Sequence, residues 1–322
     1  MANKEILMEK TKRLIEIDVM KGVFIVLMIL CHFPYFVEKY QYVNNFVYSF
    51  HMYGFLLISG FLFNANKDFK GFFSHFKYLF FPYLFFTTAY MIVQYELISY
   101  FPSTNHVTEL SLFSWFKAVF YSPIGTYWYI HTLLLCVLIV YISNKIFRNV
   151  ENKLIFTMVV FMLISLVFPL QNPVFLFFFF IGNVTRQYKH SFDSIMIKKW
   201  SMIIPLIICC YVSDFRLNTL PTIVCNTFCV MGILCWMIPF IYKPFIKSFS
   251  WIGRNSFPFL LISPAYTVMT KFAIPYFSFD NTRLLWTIGS VFFVIIGCYI
   301  TASVIDKLKI STLIWGRNLI NV

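Results

Sequence analysis

Three side chains able to do chemistry, Asp18, Lys21 and His32, stand in one largely apolar run from Ile15 to Phe33. On a helix of about 100° per residue, Asp18 and Lys21 are one turn apart, and Lys21 and His32 share a face about 16 Å apart. One stripe then carries a carboxylate and an ammonium near one end and an imidazole deeper in. Neutral imidazole is a general base near physiological pH, and an ammonium holds anions as a point charge. Each residue also has an ordinary reading. Asp18 can cap the helix start, Lys21 can snorkel to an interface, and His32 can be a hydrogen-bonded packing residue.

Further candidates follow in the next apolar runs. His51 and Ser59 lie in the second, where Gly54 and Gly60 also suit close helix contact. Lys77 and Tyr83 open the third, and Lys77 suits an anionic ligand or an orientation charge equally well. Trp128 and Tyr129 begin the fourth, where an interfacial aromatic belt explains both without any function. The eight cysteines all fall in apolar stretches with no CxxC pair or Cys/His metal spacing. They read as small buried side chains, and neither a metal nor a bound cofactor is expected.

The elements that position these groups are legible from composition. The chain of 322 residues is 60% hydrophobic and 12% charged, whereas soluble domains carry roughly 45–50% and about 25%. No water-soluble surface can be built from it, so the expected fold is all-α and polytopic in a membrane. About ten runs of helical length recur: Val19–Val37, Asn45–Phe63, Tyr78–Ile98, Thr126–Ile146, Leu154–Leu170, Val174–Tyr188, Trp200–Val212, Leu220–Tyr242, Ser256–Lys271 and Leu284–Ile305.

Charge bias orients them. With both termini and every second loop inside, only Lys39, Lys117, Arg216, Lys271 and Arg283 of the 26 basic residues fall outside, which predicts cytoplasmic termini. The net charge of +13 is therefore topogenic, and nucleic-acid binding is not expected. Residues 1–322 read as a single membrane domain with no cleavable leader. It comprises a cytoplasmic segment 1–18, a longest outer loop 99–125 and a cytoplasmic tail 306–322. No internal repeat of the transporter kind is visible.

In order along the chain, several motifs resemble those of acyltransferase family 3. Asp18…Lys21-Gly22 with His32 is similar to the family's first span, and Phe50-His51-Met52…Phe55…Ser59-Gly60-Phe61 to its second. Lys77…Leu79…Pro82-Tyr83, Trp128-Tyr129 and Trp251-Ile-Gly-Arg254-Asn255-Ser256 resemble its later signatures. The chain departs in having Lys21 where Arg is commoner, Tyr78 beside Lys77 in place of a basic pair, and Ser263 where many members carry His. The resemblance implies an integral enzyme of the bacterial inner membrane that moves an acyl group, most simply acetyl, from cytoplasmic acyl-CoA to a sugar hydroxyl of a surface glycan or lipid-linked sugar. His32 would be the base and Asp18 would hold Lys21. Lys21, Lys77 and Arg254 would meet the donor, and His51, Ser59, Tyr83, Trp128, Asn255, Ser256 and Ser263 would be further pocket candidates. Expected partners are acyl-CoA, the glycan acceptor and membrane lipids, with homo-oligomers or glycan-assembly partners left open. The rival class is a carrier of a lipid-linked glycan or organic anion, for which the same polar stripe would be a path. A third reading is a scaffold within a glycan-assembly complex.

Overall fold

In the computed structural model, the described residues are 14–97, 109–147, 153–167, 174–188, 190–212 and 219–320. Among them every regular element is helical. The chain begins with α1 (Ile15–Cys31), two short helices α2 (Pro34–Val37) and α3 (Gln41–Tyr48), then α4 (His51–Leu62), α5 (Phe69–Leu97) and α6 (Leu112–Phe116). It continues with α7 (Trp128–Ile146), α8 (Lys153–Val167), α9 (Val174–Gln187), α10 (Ile203–Val212) and α11 (Leu220–Met237). It ends with α12 (Lys243–Arg254), α13 (Ser256–Met269), α14 (Leu284–Lys307) and α15 (Ile310–Trp315).

Among the described residues five helices are long and apolar enough to cross a membrane: Phe69–Glu96, Gly125–Ile146, Leu220–Phe240, Ser256–Phe277 and Leu284–Lys307. Large apolar side chains face outward as well as inward. On α14 they include Ile288, Phe292, Ile296 and Ile300, one turn apart along one exposed face. Such a surface fits lipid rather than water.

Several boundaries differ from the sequence expectation. The first run does not continue to Val37: α1 stops at Cys31, because Pro34 disfavours helix at the preceding residue and cannot donate to its ladder. The second run starts as α3, breaks near Ser49 and resumes as α4. The third begins earlier, at Phe69, where Asp68 accepts a hydrogen bond from Gly71 N–H (3.1 Å) and caps the helix. The stretch Lys243–Arg254, taken as a basic loop, is a helix. Residues 99–108 of the long outer loop lie outside the described residues. Its later part is helical and docked on α5, with Trp115 Nε1–H donating to Thr88 (2.8 Å) and Tyr83 O–H to Val119 (2.7 Å).

Glycine brings two helix pairs into backbone contact. On α1 and α12, a Cβ at Gly22 would overlap the Phe249 carbonyl, and one at Gly253 the Asp18 carbonyl. On α4 and α9, a Cβ at Gly60 would overlap Phe179 backbone, and one at Gly182 Leu57 backbone. The C-terminal carbonyls of α4 have no intrahelical partners. Asn183 donates to Gly60 (3.2 Å) and Phe63 (2.9 Å), and Arg186 to Phe61 (3.1 Å). At the far end of α1, Arg283 pairs with Glu38 (3.0 Å), stacks on Tyr35 (4.2 Å) and donates to the Tyr35 carbonyl (2.7 Å). Tyr40 O–H reaches the Thr282 carbonyl (2.9 Å). This clasp joins the chain just after His32 to the start of α14.

Candidate active site

His32 sits where α1 runs out. The helix tightens there: His32 N–H bonds Ile29 (3.1 Å) and Phe33 N–H bonds Leu30 (3.2 Å). The amide that would ordinarily serve Met28 is thus diverted, and His32 Nδ1 lies 2.6 Å from the Met28 carbonyl instead. A carbonyl only accepts, so Nδ1 carries the hydrogen and neutral His32 presents a bare Nε2.

His51 opens α4 and repeats the device. Its Nδ1 lies 2.6 Å from the Val47 carbonyl, and its Nε2 is buried without a hydrogen-bond partner. The two imidazoles are bridged by Tyr48, whose ring centre is 6.5 Å from that of His32 and 5.2 Å from that of His51. His51 is fully buried (0% exposed), whereas His32 keeps part of its surface open. Below them Asn226 Nδ2–H donates to Ser49 Oγ (2.7 Å), and Ser49 O–H to Phe46 (2.6 Å), fixing the turn between α3 and α4.

Both histidines line one small cavity with Met28, Tyr48, Met52, Thr126, Trp128, Tyr129 and Leu260. Its open volume of about 10 Å³ suits a single water. Thr126 Oγ1 is buried without a hydrogen-bond partner on its wall. Two unsatisfied polar atoms facing one cavity are costly unless something polar comes to them. The arrangement supplies a proton acceptor with a fixed tautomer, a second imidazole and a hydroxyl.

The other sequence candidates are placed variously. Trp128 is on the cavity wall, its ring 4.9 Å from that of Phe175. Ser59 lies off the cavity but 3.3 Å from the Tyr129 hydroxyl, which lines it. Ser263 is buried on α13 near Leu260 but not in the lining. Asp18 is buried and Lys21 half-buried where α1 packs on α12, about four and three turns from His32. Arg254 donates to Ser250 (3.4 Å) and Asn255 to Trp251 (3.0 Å) at the end of α12, with Ser256 buried beside them. Lys77 lies near the start of α5, its ammonium 5.8 Å over the Phe81 ring. Tyr83 is spent on Val119. The sequence reading missed Tyr48 and Thr126: neither carries a motif, and each reaches the cavity only through the break after α1 or the turn before α7. Among the described residues no group of three His, Cys, Asp or Glu side chains could hold a metal.

Among known families, the one whose model is described as an acyltransferase domain matches residues 14–303. No curated protein and no solved structure gives a significant match.

Proposed function

The chain belongs to this acyltransferase family, and from that premise we propose that it transfers an acyl group, acetyl in the simplest case, from cytoplasmic acyl-CoA to a hydroxyl of a bacterial surface-glycan sugar. It is a multi-pass membrane protein; on this reading ten helices span the inner membrane with both termini inside. The observation that carries the chemistry is the His32 imidazole, pinned through Nδ1 and lining the cavity it shares with His51 and Thr126, which leaves Nε2 as its free base.

The sugar hydroxyl gives its proton to His32 Nε2 as its oxygen attacks the thioester carbonyl. The carbon–sulfur bond then breaks, the imidazolium returns the proton to the departing thiolate, and an ester and free thiol result. Thr126, on the cavity wall, has an O–H that can donate to the developing oxyanion, whereas His51 Nε2, its hydrogen on Nδ1, can only accept. Lys21, Lys77 and Arg254 give the inner mouth its positive field for an anionic donor. The cavity holds no more than a water as it stands, so Trp128 or Leu260 must swing aside to admit substrates.

The test is proton NMR of surface glycan from the source organism, before and after mild alkali, with the gene deleted and then restored. Loss of O-acyl ester on deletion and its return with wild type support the transferase. Intact ester with reduced glycan at the surface would replace it by the carrier.

A further inference from the structure

Arg317 follows the last long helix and lies outside the stretch that matches the family. Its guanidinium carbon nevertheless sits 3.2 Å above the ring centre of Tyr78, in the third turn of α5. Two anchors hold it there. Trp315 is 2% exposed, its ring 6.3 Å from Phe85 and 6.5 Å from Phe86. The Asp306 carboxylate accepts from the backbone N–H groups of Leu319 (2.8 Å) and Ile320 (2.9 Å). Between the anchors Gly316 turns the chain at φ +85°, a conformation glycine adopts freely.

Lys67, in the connection between α4 and α5, lies within reach of the charges of Arg317 and of Arg186, at the end of α9. Burial, and then the nearby charges of Arg317 and Arg186, push the Lys67 ammonium below its ordinary range. Among the described residues none of these three cations has a carboxylate within ion-pair distance. The neighbouring acids are committed to backbone amides, Asp68 to Gly71 and Asp306 to the tail. Arg186 spends one of its five N–H groups on the Phe61 carbonyl. Gathering like charge without a counter-ion works against folding, and such local conflicts mark functional sites.

We propose that Lys67 and Arg317, in the field of Arg186, seat the phosphate groups of the donor, so that the segment 310–320 is part of the donor site. The inference rests on the acyl-CoA reading above. A guanidinium offers phosphate a fork that Lys21 and Lys77 cannot. Side-chain contacts lead inward: the Tyr78 ring lies 5.1 Å from Phe257, and one turn along α13 from Phe257 is Leu260, on the wall of the histidine cavity. Phosphates held on Arg317 leave the donor's long thioester arm to follow this line towards His32.

The experiment measures binding of CoA, and of dephospho-CoA lacking the 3′-phosphate, to the full chain in phosphatidylcholine nanodiscs. Wild type is compared with Arg317→Gln, Arg317→Lys and Lys67→Gln, each checked for wild-type melting. Arg317→Gln should weaken CoA about tenfold to a hundredfold, the worth of charge-assisted hydrogen bonds, with Arg317→Lys between and Lys67→Gln showing the same sense from another segment. Loss should be smaller for dephospho-CoA. CoA binding within twofold of wild type in both Arg317→Gln and Lys67→Gln overturns the subsite and leaves the donor reading standing. A wild type that binds neither probe overturns both. Arg317-dependent affinity for phosphatidylglycerol nanodiscs without any effect on CoA would make the seat one for lipid headgroups and overturn the proposal.

Discussion

Replacing His32 separates two roles that the structure gives to one ring. Nδ1 ties off the Met28 carbonyl, and the ring lines the cavity with its Nε2 left as an acceptor. His32→Ala loses both; His32→Gln loses the base but keeps an N–H able to reach Met28. A carbonyl left dry at that helix end costs about 1–3 kcal/mol of stability, which the Ala variant bears and the Gln variant largely escapes. Loss of a positioned general base costs about 10²–10⁴ in rate, or about 2.7–5.5 kcal/mol at roughly 1.4 per tenfold. Both variants should therefore fall by that factor in kcat, with KM for acyl-CoA little changed because the ring is remote from the basic mouth. The assay is transfer of radiolabelled acetyl from acetyl-CoA to glycan in membrane vesicles, normalised to folded protein and paired with melting curves. Activity of either variant within threefold of wild type would refute the reasoning. A dead Ala variant beside a fully active Gln variant would reduce His32 to an anchor.

Three other substitutions test the surroundings. Gly253→Ala places a methyl on the Asp18 carbonyl and should cost about 1–3 kcal/mol or more as α1 and α12 part, read as a fall in melting temperature that a surface glycine such as Gly289, with open space around it, does not show. Thr126→Val removes a hydroxyl that has no partner, so melting should hold or rise slightly, while transfer drops; unchanged transfer would remove Thr126 from the site. Asp280 accepts from Thr282 and Leu285 at the start of α14, and these hydrogen bonds hold its carboxyl below the usual carboxylate range. A depressed carboxyl stabilises above its unfolded pKa and loses that contribution as pH falls through the folded value. Asp280→Asn should thus melt lower than wild type at neutral pH, and the two curves should converge in acid.

How much was legible beforehand depended on locality. The all-helical class and the polar stripe of α1 follow from hydropathy and a 3.6-residue period, both local signals. His32 and His51 stand out because an imidazole in an apolar run is rare. Their shared cavity was hidden, since it depends on where Pro34 ends α1 and on the turn at Ser49, which fold Tyr48 between two rings. Helix α12 was read as a loop because its lysines and Arg254 masked a stripe made by Ile246, Ser250 and Gly253. Arg317 was counted only as an orientation charge. Its place over Tyr78 is a contact between distant parts of the chain, and no spacing rule reaches so far.

The anchoring of Arg317 by Trp315 and Asp306 also sets an order of events. A ribosome makes the chain from its N-terminus at about 5–20 residues per second, so the histidines are threaded and packed well before residues 310–320 emerge. If the donor seat proposed above is right, a nascent bundle has its histidines in place and no complete grip on its donor. A message cut short after Lys307 would yield a helical bundle that looks whole yet leaves Tyr78 bare and Phe85 and Phe86 uncovered. On the donor reading proposed above, competence then waits for residues 310–320, and a chain cut before them has no means of spending activated acyl groups.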